Sequence, residues 1–168
     1  LKNGIASGTT GSLLKTTDSG LTWSKIQTGT TASLNGVYFH NPLNATTLGD
    51  GPCGGPGNIL HTIDGGKTWV NQNNPTGEYL YAVDYWDDNN GLGVGIDGAI
   101  AKTTDGGKTW VEQESGVRSV LRDVKFLNSS KAVIVGDWSV ILRTKDLTTK
   151  NIALRSPRGN EMWGIGSV

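Results

Sequence analysis

Three aspartates, Asp18, Asp64 and Asp105, sit in one repeated frame, Thr-x-Asp-x-Gly-x-Thr-Trp. A carboxylate among hydroxyls and glycines could serve a calcium loop or an acid catalyst. The same residues also build a hairpin turn. A short Asp side chain accepts hydrogen bonds from backbone N–H groups one to three residues on, and Gly supplies positive φ where the chain reverses. One active site cannot be assembled from identical turns spread along a repeat, so the frame reads as a turn. A fourth copy, Thr144–Thr149, keeps Asp146 but has lost the glycines and the Trp.

Other chemistry is sparse. His40 and His61 are the two histidines, and they lack metal-ligand spacing. His40 reads as a turn residue and His61 as a strand-surface residue. Asp87-Asp88-Asn89-Asn90-Gly91 lacks the spacing and terminal Glu of an EF-hand loop. Paired-carboxylate glycoside hydrolysis needs two acids across a cleft, and Glu78 and Asp97 are the nearest candidates. Arg118, Arg122 and Arg158 could cluster as a sialidase-like site requires, but all come from one part of the chain. No catalytic residue, metal or cofactor is expected.

The elements that carry these residues follow from spacing. From the box Thr to the next apolar strand start is 18 residues in all four copies, as from Thr16 to Leu34. From that start to a Gly is 15 residues, as from Leu34 to Gly49. From the Gly to the next box Thr is 8 residues in three copies and 13 between Gly49 and Thr62. The extra five residues belong to a Gly/Pro loop at 51–57.

Each unit reads as four short strands, here A to D. Strand A is Leu34–Phe39, Leu80–Trp86 or Leu121–Leu127. Strand B is Ala45–Gly49, Gly91–Gly95 or Lys131–Gly136. Strand C is Asn58–Thr62, Ala99–Thr103 or Val140–Thr144. Strand D is Thr68–Gln72, Thr109–Gln113 or a degenerate Lys150–Arg155. These runs are rich in Val, Ile, Thr and aromatics and bounded by Gly, Asn and Asp. No sustained 3.6-residue period occurs, so almost no helix is expected.

A period of about 40 residues built from short strands is the signature of a propeller. The fold expected is an all-β propeller of four four-stranded antiparallel blades forming one domain over 1–168. Its units run approximately 162–168 plus 1–29, 34–73, 80–114 and 121–155. The strand at Met162–Val168 and the one at Gly4–Gly8 would complete one shared blade. The result is a closed four-bladed ring or half of a larger propeller. Trp23, Trp69 and Trp110 are expected to bury apolar area against the neighbouring blade or strand.

The frame Thr-x-Asp-Gly-Gly-Lys-Thr-Trp resembles the BNR or Asp-box motif of sialidases, sortilin-type receptors and bacterial propellers. The wider unit is most similar to the photosystem II assembly and stability factor family. The residues that carry this are Leu-Arg-Asp-Val-Lys-Phe-Leu at 121–127, Gly-Leu-Gly-Val-Gly at 91–95 and Ala-Ile-Ala-Lys-Thr-Thr-Asp-Gly-Gly-Lys-Thr-Trp at 99–110. The resemblance covers essentially the whole chain, although plant and cyanobacterial members have more blades than four. It implies a non-enzymatic scaffold that binds a protein partner in an extracytoplasmic compartment: periplasm, thylakoid lumen or cell exterior.

Charge and composition narrow the partners. The 168 residues carry 15 Lys or Arg and 15 Asp or Glu, so bulk attraction to nucleic acid is not indicated. No apolar run approaches the ~20 residues of a membrane span. The lone Cys53 excludes an intrachain disulfide. Residues 1–114 carry six Lys and eleven acids, whereas 115–168 carry nine Lys or Arg and four acids. The basic last third could dock an acidic partner or the acidic side of another copy.

The D–A and B–C loops share the face opposite the Asp-box turns. On it lie Glu78, Tyr79, Asp97, Arg118, Trp138, Arg158 and the Gly/Pro insertion at 51–57. Position two of strand A, at the channel mouth, reads Asn35, Tyr81, Arg122 and Trp163. These ten residues are the candidate binding face. Two further readings stay open: a glycan-binding or glycoside-hydrolase/sialidase-like propeller, with a sugar over Tyr81, Trp138 or Trp163, and a structural subunit of a virion or surface assembly.

Overall fold

The computed structural model describes residues 2–144 and the strand at 152–155. Alternating short runs of Val, Ile, Thr and aromatics, punctuated by Gly and Asp, fold as four consecutive antiparallel meanders. The first holds β1 (Gly4–Ser7), β2 (Leu13–Thr16) and β3 (Ser24–Ile26). The second holds β4 (Leu34–Phe39), β5 (Ala45–Gly49), β6 (Ile59–Thr62) and β7 (Val70–Gln72). The third holds β8 (Leu80–Tyr85), β9 (Gly91–Gly95), β10 (Ile100–Thr103) and β11 (Val111–Glu112). The fourth holds β12 (Leu121–Asn128), β13 (Lys131–Gly136), β14 (Val140–Arg143) and β15 (Ile152–Arg155). Helix among the described residues amounts to three 3-10 turns of three residues each.

The core lies between sheets rather than inside one layer. Leu13, Ile26, Leu34 and Leu60 fill the first junction. Leu48, Ile59, Leu80, Tyr85 and Trp110 fill the second. Leu92, Val94, Ile100, Leu121, Ile134 and Leu142 fill the third. Period-2 alternation sends successive residues of a strand to opposite junctions, as with Ile59 and Leu60.

The recurrent Gly that ends strand B has a steric cause. A Cβ on Gly49, Gly95 or Gly136 would run into the backbone carbonyl of Ser33, Tyr79 or Val120. The innermost strands share a second device. The register slips between Leu34 and Gly36, between Leu80 and Ala82, and between Leu121 and Asp123. The residue inside each slip is Asn35, Tyr81 or Arg122. A β-bulge leaves one residue unpaired and re-aims its side chain.

Several expectations need correction. The D strands are shorter than expected, down to Val111–Glu112 for β11. Of the three box tryptophans, Trp110 is 6% exposed but Trp23 is 46% exposed. Trp110 packs into the junction with the preceding sheet, and Trp23 gains no comparable cover among the described residues. The fourth strand expected at Met162–Val168, and with it the shared blade, lies outside the described residues. So do Asp146, Arg158 and Trp163.

Candidate binding face

The Asp-box turns are closed hydrogen-bond networks. In each, the first Thr hydroxyl donates to the Asp: Thr16 to Asp18 at 2.7 Å, Thr62 to Asp64 at 2.8 Å, Thr103 to Asp105 at 2.9 Å. The same hydroxyl accepts the N–H of Gly20, Gly66 or Gly107. The Asp then accepts both the N–H and the hydroxyl of the Thr four residues on, at 2.9 and 2.6 Å for Thr109. The reach is thus to the fourth residue, beyond the third anticipated. Both carboxylate oxygens are engaged internally, which is structural chemistry.

These bonds favour the carboxylate form. The Thr22 hydroxyl and N–H hold Asp18 down to about 2. Thr68 lowers Asp64 in the same way. Burial alone would raise Asp105, and the Thr109 and Thr103 bonds outweigh it.

A second network joins the second and third sheets. The Thr46 hydroxyl, fully buried, lies 3.2 Å from His40 Nε2, 3.1 Å from His61 Nδ1 and 3.1 Å from the Tyr85 hydroxyl. His40 packs edge-on against Tyr85 at 4.2 Å between centroids. His61 is 6% exposed, so it is a core residue and not the strand-surface residue expected. Its hydrogen-bond partner Thr46 also bonds Tyr85, which lies on another sheet, a link that a single strand's pattern does not reveal. Burial, then His61, lowers His40 to about 4. Burial, then Lys108, lowers His61.

On the opposite side the bulged residues form a line. The Asn35 amide donates to Asp50 Oδ1 at 2.9 Å and to the Leu80 carbonyl at 3.1 Å. The Arg122 guanidinium lies 5.4 Å from the Tyr81 ring centroid. It also grips Asp137 with Nε to Oδ1 at 2.8 Å and Nη2 to Oδ2 at 2.9 Å. Burial, then Asp50, raises the Tyr81 phenol. Asp50 and Asp137 were missed by sequence reasoning. Their common signal is the position directly after the Gly that ends strand B.

A cavity of about 550 Å³ brings Glu78, Asp97 and Arg118 together, with Thr76 and Glu112 in its wall. Tyr79 is half-buried beside them in sequence, and its carbonyl accepts the Ile96 N–H at 3.0 Å. The basic last third is partly spent internally. Lys125 Nζ pairs with buried Asp84 at 2.9 Å, and Arg122 pairs with Asp137. Arg118 remains exposed.

The B–C hairpins end in turns with positive φ at two successive residues. Asp97 and Gly98 have φ 50° and 77°, as a type I′ turn requires. Trp138 and Ser139 have φ 58° and 59°, with no glycine at either place. A bulky residue in this region is strained. The Trp138 indole is 80% exposed at the tip. Among the described residues, no group of three or more His, Cys, Asp or Glu could hold a metal ion. No described helix is long and apolar enough to cross a membrane.

The profile of the family described as photosynthesis system II assembly factor YCF48 matches residues 69–155. No curated protein sequence matches the chain. Among solved structures, YCF48 bound to D1 peptide is similar at TM-score 0.71 and 22% identity, covering 97% of this chain and 53% of that one. YCF48 from Cyanidioschyzon merolae is similar at TM-score 0.65 and 15% identity, covering 94% and 56%. An ancestral GH74 enzyme is similar at TM-score 0.73 and 12% identity, covering 94% and 23%. At these identities the likeness carries the propeller fold alone, and the fold is common to assembly factors and glycoside hydrolases. The chain spans about half the length of the two YCF48 structures it matches.

Proposed function

The chain belongs to the photosystem II assembly factor YCF48 family, and from that premise we propose that it is a non-enzymatic scaffold that docks a protein segment on its B–C and D–A loop face. The observation that carries this is Trp138. An indole 80% exposed on a turn that favours glycine has a cost and gains little burial among the described residues. Trp and Arg are enriched among the residues that anchor protein interfaces. The neighbouring Asp137 ties that anchor to Arg122, and Arg122 lies over Tyr81.

The related YCF48 structure holds a D1 peptide, which makes a peptide segment the first ligand to test. Exposed Arg118 suits an acidic residue of that partner. The Asp-box face is the structural side. Asp18, Asp64 and Asp105 are engaged by their own turns.

The test is a fluorescence-anisotropy titration of labelled D1 peptide with the wild-type chain and Trp138→Ala. Saturable binding that weakens about tenfold or more in the variant, at unchanged melting temperature, supports the reading. Absence of binding, or equal binding by the variant, contradicts it.

A further inference from the structure

Between the first two sheets lies a cleft of about 430 Å³. Its walls are the segment 28–31 after β3 and the strands β6 and β7, and Pro52 of the inserted loop also lines it. No lining side chain is charged. The Asn58 amide donates to the Thr30 hydroxyl at 3.1 Å, bonding one wall to the other. Trp69 supplies the aromatic surface, and exposed Asn71 faces the same space.

The repeat departs from itself here. Counting from the box Thr, the positions of Asn58, Leu60 and Asn71 are Ala99, Ala101 and Glu112 in the next unit. Trp110, the counterpart of Trp69, is buried, and its indole N–H donates to the Gly107 carbonyl at 3.1 Å. The Trp69 indole N–H is buried without a partner. The five-residue insertion that brings Pro52 to the wall also belongs to this unit alone among the described ones.

We propose that this cleft binds a neutral saccharide unit, with the apolar C–H face of a sugar ring against the Trp69 indole and its hydroxyls bonded to Asn71 and the Asn58–Thr30 pair. The chemistry follows from the lining. Amides and hydroxyls both donate and accept, as sugar hydroxyls do. An ionised ligand would enter a space that offers no countercharge. The volume lies within the range of small-ligand sites. This cleft opens on the same loop face, but between the first two sheets. Neither Trp138 nor Arg122 lines it, and it shares no lining residue with the cavity of Glu78, Asp97 and Arg118. It therefore stands whether or not those residues dock a peptide.

The experiment is an NMR titration of the ¹⁵N-labelled chain with the methyl glycosides of glucose, galactose, mannose and N-acetylglucosamine. Trp69→Phe identifies the Trp69 indole resonance. The expected result is a saturable shift of the Trp69 indole and Asn71 amide signals by at least one glycoside, with the Trp138 indole unmoved. Asn71→Ala should weaken that binding by about fivefold or more, with melting temperature unchanged because Asn71 is exposed. No saturable shift with any of the four, shifts confined to Trp138, or equal affinity in Asn71→Ala would overturn the proposal.

Discussion

Arg122 closes on Asp137 through two parallel hydrogen bonds, at 2.8 and 2.9 Å. The bulge that frees Arg122 from the strand ladder lies between Leu121 and Asp123, on the strand next to the one that leads into Asp137. The two side chains are 25% and 12% exposed, so the pair is largely shielded from solvent. A bidentate, planar contact of this kind belongs to Arg and not to Lys.

Replacing Arg122 with Ala should therefore cost about 1–3 kcal/mol, since Asp137 is left shielded and unpaired. Arg122→Lys should recover only part of that loss. Chemical denaturation of the two variants checks both the size and the order.

The Asp-box carboxylates should matter for stability and not for binding. Asp105→Asn keeps the shape but loses part of the hold on the Thr109 and Thr103 hydroxyls, at about 1–2 kcal/mol. Peptide affinity should stay unchanged. A large loss of affinity at constant melting temperature would speak against the structural role.

Glycines at the same box position should differ in tolerance. Gly20 and Gly107 have φ 88° and 89°, so both variants to Ala are strained. A Cβ at Gly107 would also lie 2.7 Å from the Tyr85 hydroxyl and 3.0 Å from the Thr46 hydroxyl. At Gly20 the nearest atom is a Trp23 ring carbon at 3.8 Å. Thermal melts should show Gly107→Ala losing clearly more than Gly20→Ala.

Acid should loosen the second junction. His40 is lowered to about 4 and His61 is lowered too, so between pH 6.5 and about 4 the unfolded chain binds protons that the folded chain resists. Stability is full above pH 6.5 and falls as pH drops toward 4. The Asp boxes add loss in the same direction below about pH 4, as Asp18 is protonated toward about 2. Melting temperature followed against pH should decline across the first window, and His40→Gln should flatten that decline.

Much of the fold was legible because the repeat exposes its own register. The spacing of 18 and 15 residues set β4, β5, β9 and β13 to the residue, since Gly and apolar strand starts recur where backbone contact demands them. Trp23 and His61 were misjudged for one reason. Burial in a propeller depends on the facing sheet, and a single unit's pattern says nothing of its neighbour. Asn35, Tyr81 and Arg122 stood out as breaks in the repeat. The bulge that isolates them, and the aspartates that hold Asn35 and Arg122, became visible only in the pairing.

The central claim is that the B–C and D–A loop face, and not the Asp-box face, receives a protein segment. Hydrogen–deuterium exchange of the chain with and without saturating D1 peptide tests it most directly. The account predicts new protection at 96–98, 115–118 and 137–139, with the turns at 18–23, 64–69 and 105–110 unchanged. Protection confined to the Asp-box turns, or none on either face, would contradict it.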